Sequence, residues 1–251
     1  MKLEKEQIEN ALRGFYRTGC FDIYLEGNFD QDLTRMSHED LGTFLHEYVH
    51  FLQNISTPYG IFEAVTLNEA AVETFIDILP KKKIELPYDA PQSEELKSRL
   101  NWLEAMNGQS VIDQDYSIEV DESKEIMFGR MNVTFHDRKG RIIVLEFNDK
   151  LGNVHRRVIG ALDIKEAMAA AYQSLIDPAA EHPDIPYNLL RMFCKQHFPA
   201  VGNDVKKFDL YGWRLLSACH PIVYSMPSHP SFHFSVNHGC GNNGKCSTSF
   251  S

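Results

Sequence analysis

Residues 37–56 leave this chain little choice but a helix. Ser37-His38-Glu39-Asp40 has capping-box spacing, a hydroxyl followed three residues later by an acid. Leu41, Phe44, Leu45, Tyr48, Val49 and Leu52 then recur at three- and four-residue intervals, which predicts one half-buried apolar face. Thr57-Pro58 offers a new cap and a first-turn proline, so this helix should stop near Ser56. A second helix is expected over 58–79, ended by Pro80, and the short link lets it fold back on the first.

Within the first helix, His46-Glu47-Tyr48-Val49-His50 reads H-E-x-x-H. Residues four apart share a helix face, so two imidazoles at this spacing can reach one metal ion. Neutral imidazole suits zinc, and an open zinc site brings the pKa of its water toward ~7. Glu47 lies next to the pair, where it can take a proton from that water. The blander reading of the same residues is two histidines at a helix–core boundary and a surface glutamate. The helical context favours the metal, because the histidines fall beside the apolar stripe and not on the polar side.

Residues 43–53, TFLHEYVHFLQ, resemble the active-site helix of the zincin metallopeptidases. The resemblance implies one zinc per chain, with His46 and His50 as ligands and Glu47 as general base. It also implies a peptide or protein substrate. Phe51 to Ser56 follow His50 where the metzincin branch continues its longer motif, so that branch is excluded. The similarity is to the gluzincin branch, whose third ligand is a glutamate on a later helix.

Two glutamates compete for that place. Glu69, in Asn68-Glu69-Ala70-Ala71-Val72-Glu73, looks like the N-E-A-x-x-[DE] segment of thermolysin-like enzymes, which would give Glu73 a supporting role. Glu166 lies among Ala161, Ala167 and Ala169–Ala171, and small residues let a ligand-donating helix approach closely. It resembles the third-ligand helix of zincin relatives with a β-rich insertion between second and third ligands. An apolar helix is buried, and a buried carboxylate needs a partner, so Glu166 is preferred. The plain alternatives are a capping box of Asp163 with Glu166 and, for Glu69, a solvated helix face. A tyrosine or histidine donor should stabilise the transition state. Tyr187 and His220 rank first, ahead of Tyr172, His197 and Tyr224.

The rest of the chain reads as α+β. A strand is expected within 15–28, where Phe21, Ile23 and Leu25 alternate with Asp22, Tyr24 and Glu26. A polar helix is expected around 94–106. Strands follow over 126–135 and 141–147, joined by a turn at Asp137-Arg138-Lys139-Gly140, and then at Val154–Ile159. Helices are expected over 163–176, 186–197 and 209–219. The fold class implied is zincin-like: the active-site helix packed under a small antiparallel sheet, with a helical C-terminal part. One domain should span 1–251, with a β-rich insertion at 80–159 and an irregular His-, Cys-, Gly- and Ser-rich tail at 228–251.

Charge and composition narrow the partners. Twenty-five basic against 35 acidic residues leave a net charge of −10, a poor match for nucleic acid or an anionic membrane. No apolar run reaches the ~18 residues of a membrane span, and MKLEKEQIEN has no signal-peptide core. Five cysteines, odd in number and widely spread, read as reduced thiols of a cytoplasmic protein. The expectation is therefore a cytoplasmic zinc peptidase. The alternative is a catalytically silent zincin-fold binding protein with a structural metal.

Overall fold

The computed structural model describes residues 14–18, 21–25, 32–85, 88, 90–108, 117–135 and 138–218. Among these the protein is α+β and mostly helical, with seven α-helices and two small antiparallel sheets. Strands β1 (Gly14–Arg17) and β2 (Asp22–Leu25) form a hairpin. Helices α1 (His38–Ser56), α2 (Pro58–Ile78) and α3 (Glu94–Asn107) follow. Strands β3 (Met127–Phe135), β4 (Arg138–Asn148) and β5 (Val154–Ile159) make a meander of order β3-β4-β5. The chain ends in α4 (Ala161–Ile176), α5 (Leu189–His197), α6 (Pro199–Gly202) and α7 (Val205–Ala218).

The first helix has the ends its sequence dictates. Ser37 Oγ accepts from the Asp40 N–H at 3.0 Å, and Thr57 serves both helices at the α1–α2 corner. Its hydroxyl donates to the Gln53 carbonyl at 2.6 Å and accepts from the Gly60 N–H at 3.0 Å. Gly60 is obligatory there, since an added Cβ would lie 2.4 Å from Asn54 Cα.

The buried face of α1 differs from the expected one. The stripe turned inward is Gly42, Thr43, His46, Glu47, Val49, His50, Gln53 and Asn54. Of the predicted apolar face only Val49 is fully buried, and Tyr48 is exposed. The cause is α4, whose alanines admit a close approach along the small-residue side of α1. A Cβ on Gly42 would sit 3.0 Å from Asp177 Cβ. Polar groups on that side are tolerated because they bond one another across the helix pair.

Helix α4 is central to the core of the described residues. Ala167, Met168 and Ala171 pack with Tyr59 of α2, Leu103 of α3 and Phe208 and Leu216 of α7 in one core. A second core joins Leu145 and Phe147 of β4 to Leu189 and Met192 of α5. At ~25 cal/mol per Å² of apolar surface buried, each such leucine or phenylalanine contributes about 1.5–3 kcal/mol.

Several boundaries move, each for a local reason. Within the expected single strand at 15–28, the described residues pair as a hairpin, with Phe21 in the left-handed region at φ 51°. Alternation marks a strand but not where it reverses. The expected turn at 137–140 gives way to strand in part: Gly140 pairs with Val133 and Arg138 with Phe135, so β4 already includes 138–140. Helix α4 begins before Asp163, because the Asp163 carboxylate accepts from the Gly160 N–H at 3.1 Å, as the third residue of the helix and not its cap. The expected helix at 186–197 starts at Leu189, after a turn in which Ile185 is extended ahead of Pro186. The tail at 228–251 lies outside the described residues.

Candidate metal centre

His46 and His50 stand one turn apart on α1, and α4 brings Glu166 against both. Nε2 of His46 and Nε2 of His50 are 3.2 Å apart. Glu166 Oε2 lies 3.4 Å from the first and 3.3 Å from the second. Donor atoms held ~2.0–2.1 Å from a tetrahedral zinc stand about 3.3–3.4 Å from one another. The three atoms therefore form one face of such a tetrahedron, and the group could hold a metal ion.

The protonation pattern agrees with that fit. Gln53 Nε2 donates to the Lys165 carbonyl at 3.2 Å, which turns its Oε1 toward His50 Nδ1 at 3.0 Å. An amide oxygen only accepts, so His50 carries its hydrogen on Nδ1 and presents a lone pair on Nε2. Burial raises the Glu166 pKa, but His50 and His46 in their protonated form, whose positive charge a metal would replace, outweigh it and hold the carboxyl well below its usual range. Two imidazole nitrogens and a carboxylate oxygen meeting at one point are a cation site by their chemistry. The neighbouring Lys165 does not fill it. Its ammonium points to Glu63 at 2.8 Å.

Glu47 is buried beside the pair, on the next residue of the same helix. Burial raises its pKa to about 7, against the opposing pull of His46; Glu166 adds to the rise, and the Tyr16 backbone N–H, which hydrogen-bonds the carboxylate, lowers it. That places β1 of the hairpin directly over the motif.

Glu69 is elsewhere. Its carboxylate pairs with Arg99 of α3 at 2.5 Å. Glu73 accepts from the backbone and hydroxyl of Ser93 at 2.9 and 2.8 Å, so it supports the α2–α3 contact and no histidine. Both acids lie on the side of α2 that meets α3, which their spacing in sequence does not reveal.

Tyr187 does come to the centre, its ring centroid 6.0 Å from that of His46. His220 lies outside the described residues, as does Tyr224. Of the lower-ranked donors, Tyr172 donates to Asp209 at 2.7 Å. His197 Nε2 lies 2.7 Å from the Ile126 carbonyl, so it ties α5 to the segment before β3.

His182 is a site residue that sequence reasoning misses. Its ring stacks on His46 at 5.7 Å and on Tyr187 at 5.0 Å. Burial and the nearby His46 lower its pKa to about 4, so it is neutral at pH 7. Its Nε2 and the Nδ1 of His46 are buried without a hydrogen-bond partner among the described residues. No periodicity marks a lone histidine in a loop, and only the approach of 182–187 to α1 reveals it.

No family model, curated protein or solved structure matches this chain.

Proposed function

We propose that the chain is a zinc-dependent peptidase of zincin type, with His46, His50 and Glu166 as ligands. The observation that carries this reading is the triangle of 3.2, 3.4 and 3.3 Å formed by their three donor atoms around a common point. Bound zinc would polarise the scissile carbonyl and make a water nucleophilic near neutral pH. Glu47 is the general base: its carboxyl sits beside the ligands, and its pKa of about 7 suits proton transfer at neutral pH. The proton it receives passes on to the leaving amine. His182 and Tyr187 flank His46 and supply hydrogen-bond donors for the oxyanion.

The substrate proposed is an extended peptide. The β1–β2 hairpin lies against α1, and the backbone of Tyr16 meets Glu47. A chain added to the hairpin edge would hold its carbonyl near the centre through backbone bonds. No helix among the described residues is long and apolar enough to cross a membrane. The odd cysteine count suits a reducing, cytoplasmic setting.

The test is zinc content and peptide hydrolysis on four proteins purified in parallel: wild type, Glu47→Gln, Glu69→Gln and Glu166→Gln. The expected pattern is about one zinc in wild type, in Glu47→Gln and in Glu69→Gln, with loss in Glu166→Gln. Hydrolysis should fall by roughly 10²–10⁴ in Glu47→Gln. Zinc bound without hydrolysis in wild type would leave a binding protein with a structural metal. Zinc absent from reconstituted wild type would remove the metal reading.

A further inference from the structure

Helix α2 is apolar on the side that faces solvent. Ile61, Val65, Asn68, Val72, Phe75 and Leu79 follow one another at intervals of four, three, four, three and four residues. Five of the six are large apolar residues between 49 and 64 % exposed, and Asn68 is exposed too. Leu67 and Ile76 widen the stripe. Every exposed residue of α2 is uncharged. Its acids are instead engaged at its other sides, Glu63 with Lys165, Glu69 with Arg99, Glu73 with Ser93 and Asp77 with Lys81.

This arrangement is the reverse of an ordinary surface helix, which turns charge to water. The alternating spacing of three and four is the seam of two helices packed knobs into holes. The stripe extends over about 27 Å of helix at 1.5 Å per residue. Its apolar side chains offer roughly 750 Å² per chain, close to the ~800 Å² that each partner contributes to a stable interface, and more than the ~300–600 Å² patch of a typical monomer.

We infer that α2 is a self-association surface, on which the α2 of a second copy of this chain packs in a two-fold dimer. A helix lying on a membrane carries lysines and arginines along its flanks, whereas the flanks of α2 within the helix carry Glu69, Glu73 and Asp77. The seam itself has no charge, so two molecules of net charge −10 meet there without opposing like charges. An isologous contact satisfies one stripe with an identical one. The inference does not depend on the metal, because the stripe is on the side of α2 turned away from Glu63 and α4.

The experiment is sedimentation equilibrium of the full chain from about 1 to 100 µM, spanning the dissociation constants of weak and stable dimers. It is run on wild type, on Val72→Glu with Phe75→Glu, and separately on Val65→Lys, with circular dichroism as the check on folding. Wild type should sediment at twice the monomer mass. The substitutions lie on exposed positions, so both variants should fold and dissociate with constants raised roughly 100-fold or more. A wild type that is monomeric at 100 µM overturns the inference whatever the variants do. So does a dimer that persists unchanged in either folded variant. Flotation of a monomeric wild type with phosphatidylserine vesicles would assign the face to a membrane surface instead.

Discussion

The amide of Gln53 joins the imidazole of His50 to the backbone of the helix that carries Glu166. Its oxygen is 3.0 Å from His50 Nδ1, and its nitrogen 3.2 Å from the carbonyl of Lys165. One side chain thus sets the tautomer of one proposed ligand and the distance to another. Gln53→Leu should fold, because the site is packed and the side chain is nearly isosteric. It should bind zinc about 10–100-fold more weakly, the range for losing a hydrogen-bond partner of a ligating histidine. Competition against a chromophoric chelator reads this directly, and an unchanged affinity would remove Gln53 from the metal's support.

That relationship spans 112 residues, which explains what could and could not be read from the sequence. The caps at Ser37 and Thr57 and the register of His46 and His50 are local, so spacing predicts them. Glu166 was also legible, because alanines around a carboxylate signal close helix packing. The inward stripe of α1 was not, because apolar periodicity points to Phe44 and Tyr48. The approach of α4 decides instead for Gly42, Thr43 and Gln53. His182 and Tyr16 reach the centre only through long-range packing, and no short motif encodes it.

Lys165 precedes Glu166 and is itself committed. Its ammonium meets Glu63 Oε2 at 2.8 Å with both side chains nearly buried, and Asn54 Nδ2 and the Tyr59 hydroxyl also donate to Glu63. Breaking a buried pair leaves an uncompensated charge, whereas removing both charges does not. Lys165→Met should therefore destabilise by about 3–5 kcal/mol, and the double variant Lys165→Met, Glu63→Gln should recover most of that loss. Urea unfolding of the metal-free proteins measures both. Equal destabilisation in the single and double variants would mean that the pair matters only as packing.

The turn that leads into β5, and from there to α4, is organised by Asp149. Its carboxylate accepts from the backbone N–H groups of Leu151 and Asn153, from the Asn153 amide and from His155 Nε2 at 2.9 Å. The His155 and Asn153 contacts hold the Asp149 carboxyl far below its usual range. A folded-state pKa below the unfolded value contributes stability that is present above the unfolded pKa, ~3.9, and is lost as pH falls below it. Wild type should therefore lose melting temperature below about pH 4 more steeply than Asp149→Asn, which starts lower at pH 7. Parallel acid limbs for the two proteins would show that Asp149 is not held in its ionised form.

His182 poses the sharpest question about the centre itself. A buried imidazole nitrogen without a partner costs about 1–3 kcal/mol in desolvation, and His182 Nε2 is such an atom among the described residues. The ring is neutral at pH 7 and lies between His46 and Tyr187. A neutral imidazole can donate a hydrogen bond to developing negative charge without adding a cation that would repel zinc. On that account His182→Ala should keep its zinc and its KM while kcat falls by roughly 10²–10³, the loss for one oxyanion donor. His182→Gln retains an N–H and should recover part of the rate. Tyr187→Phe, measured alongside, separates the two donors: the larger fall in kcat identifies the group nearer the oxyanion. A His182→Ala protein that loses zinc would instead make the ring a support for His46, and one with unchanged turnover would make it a packing residue.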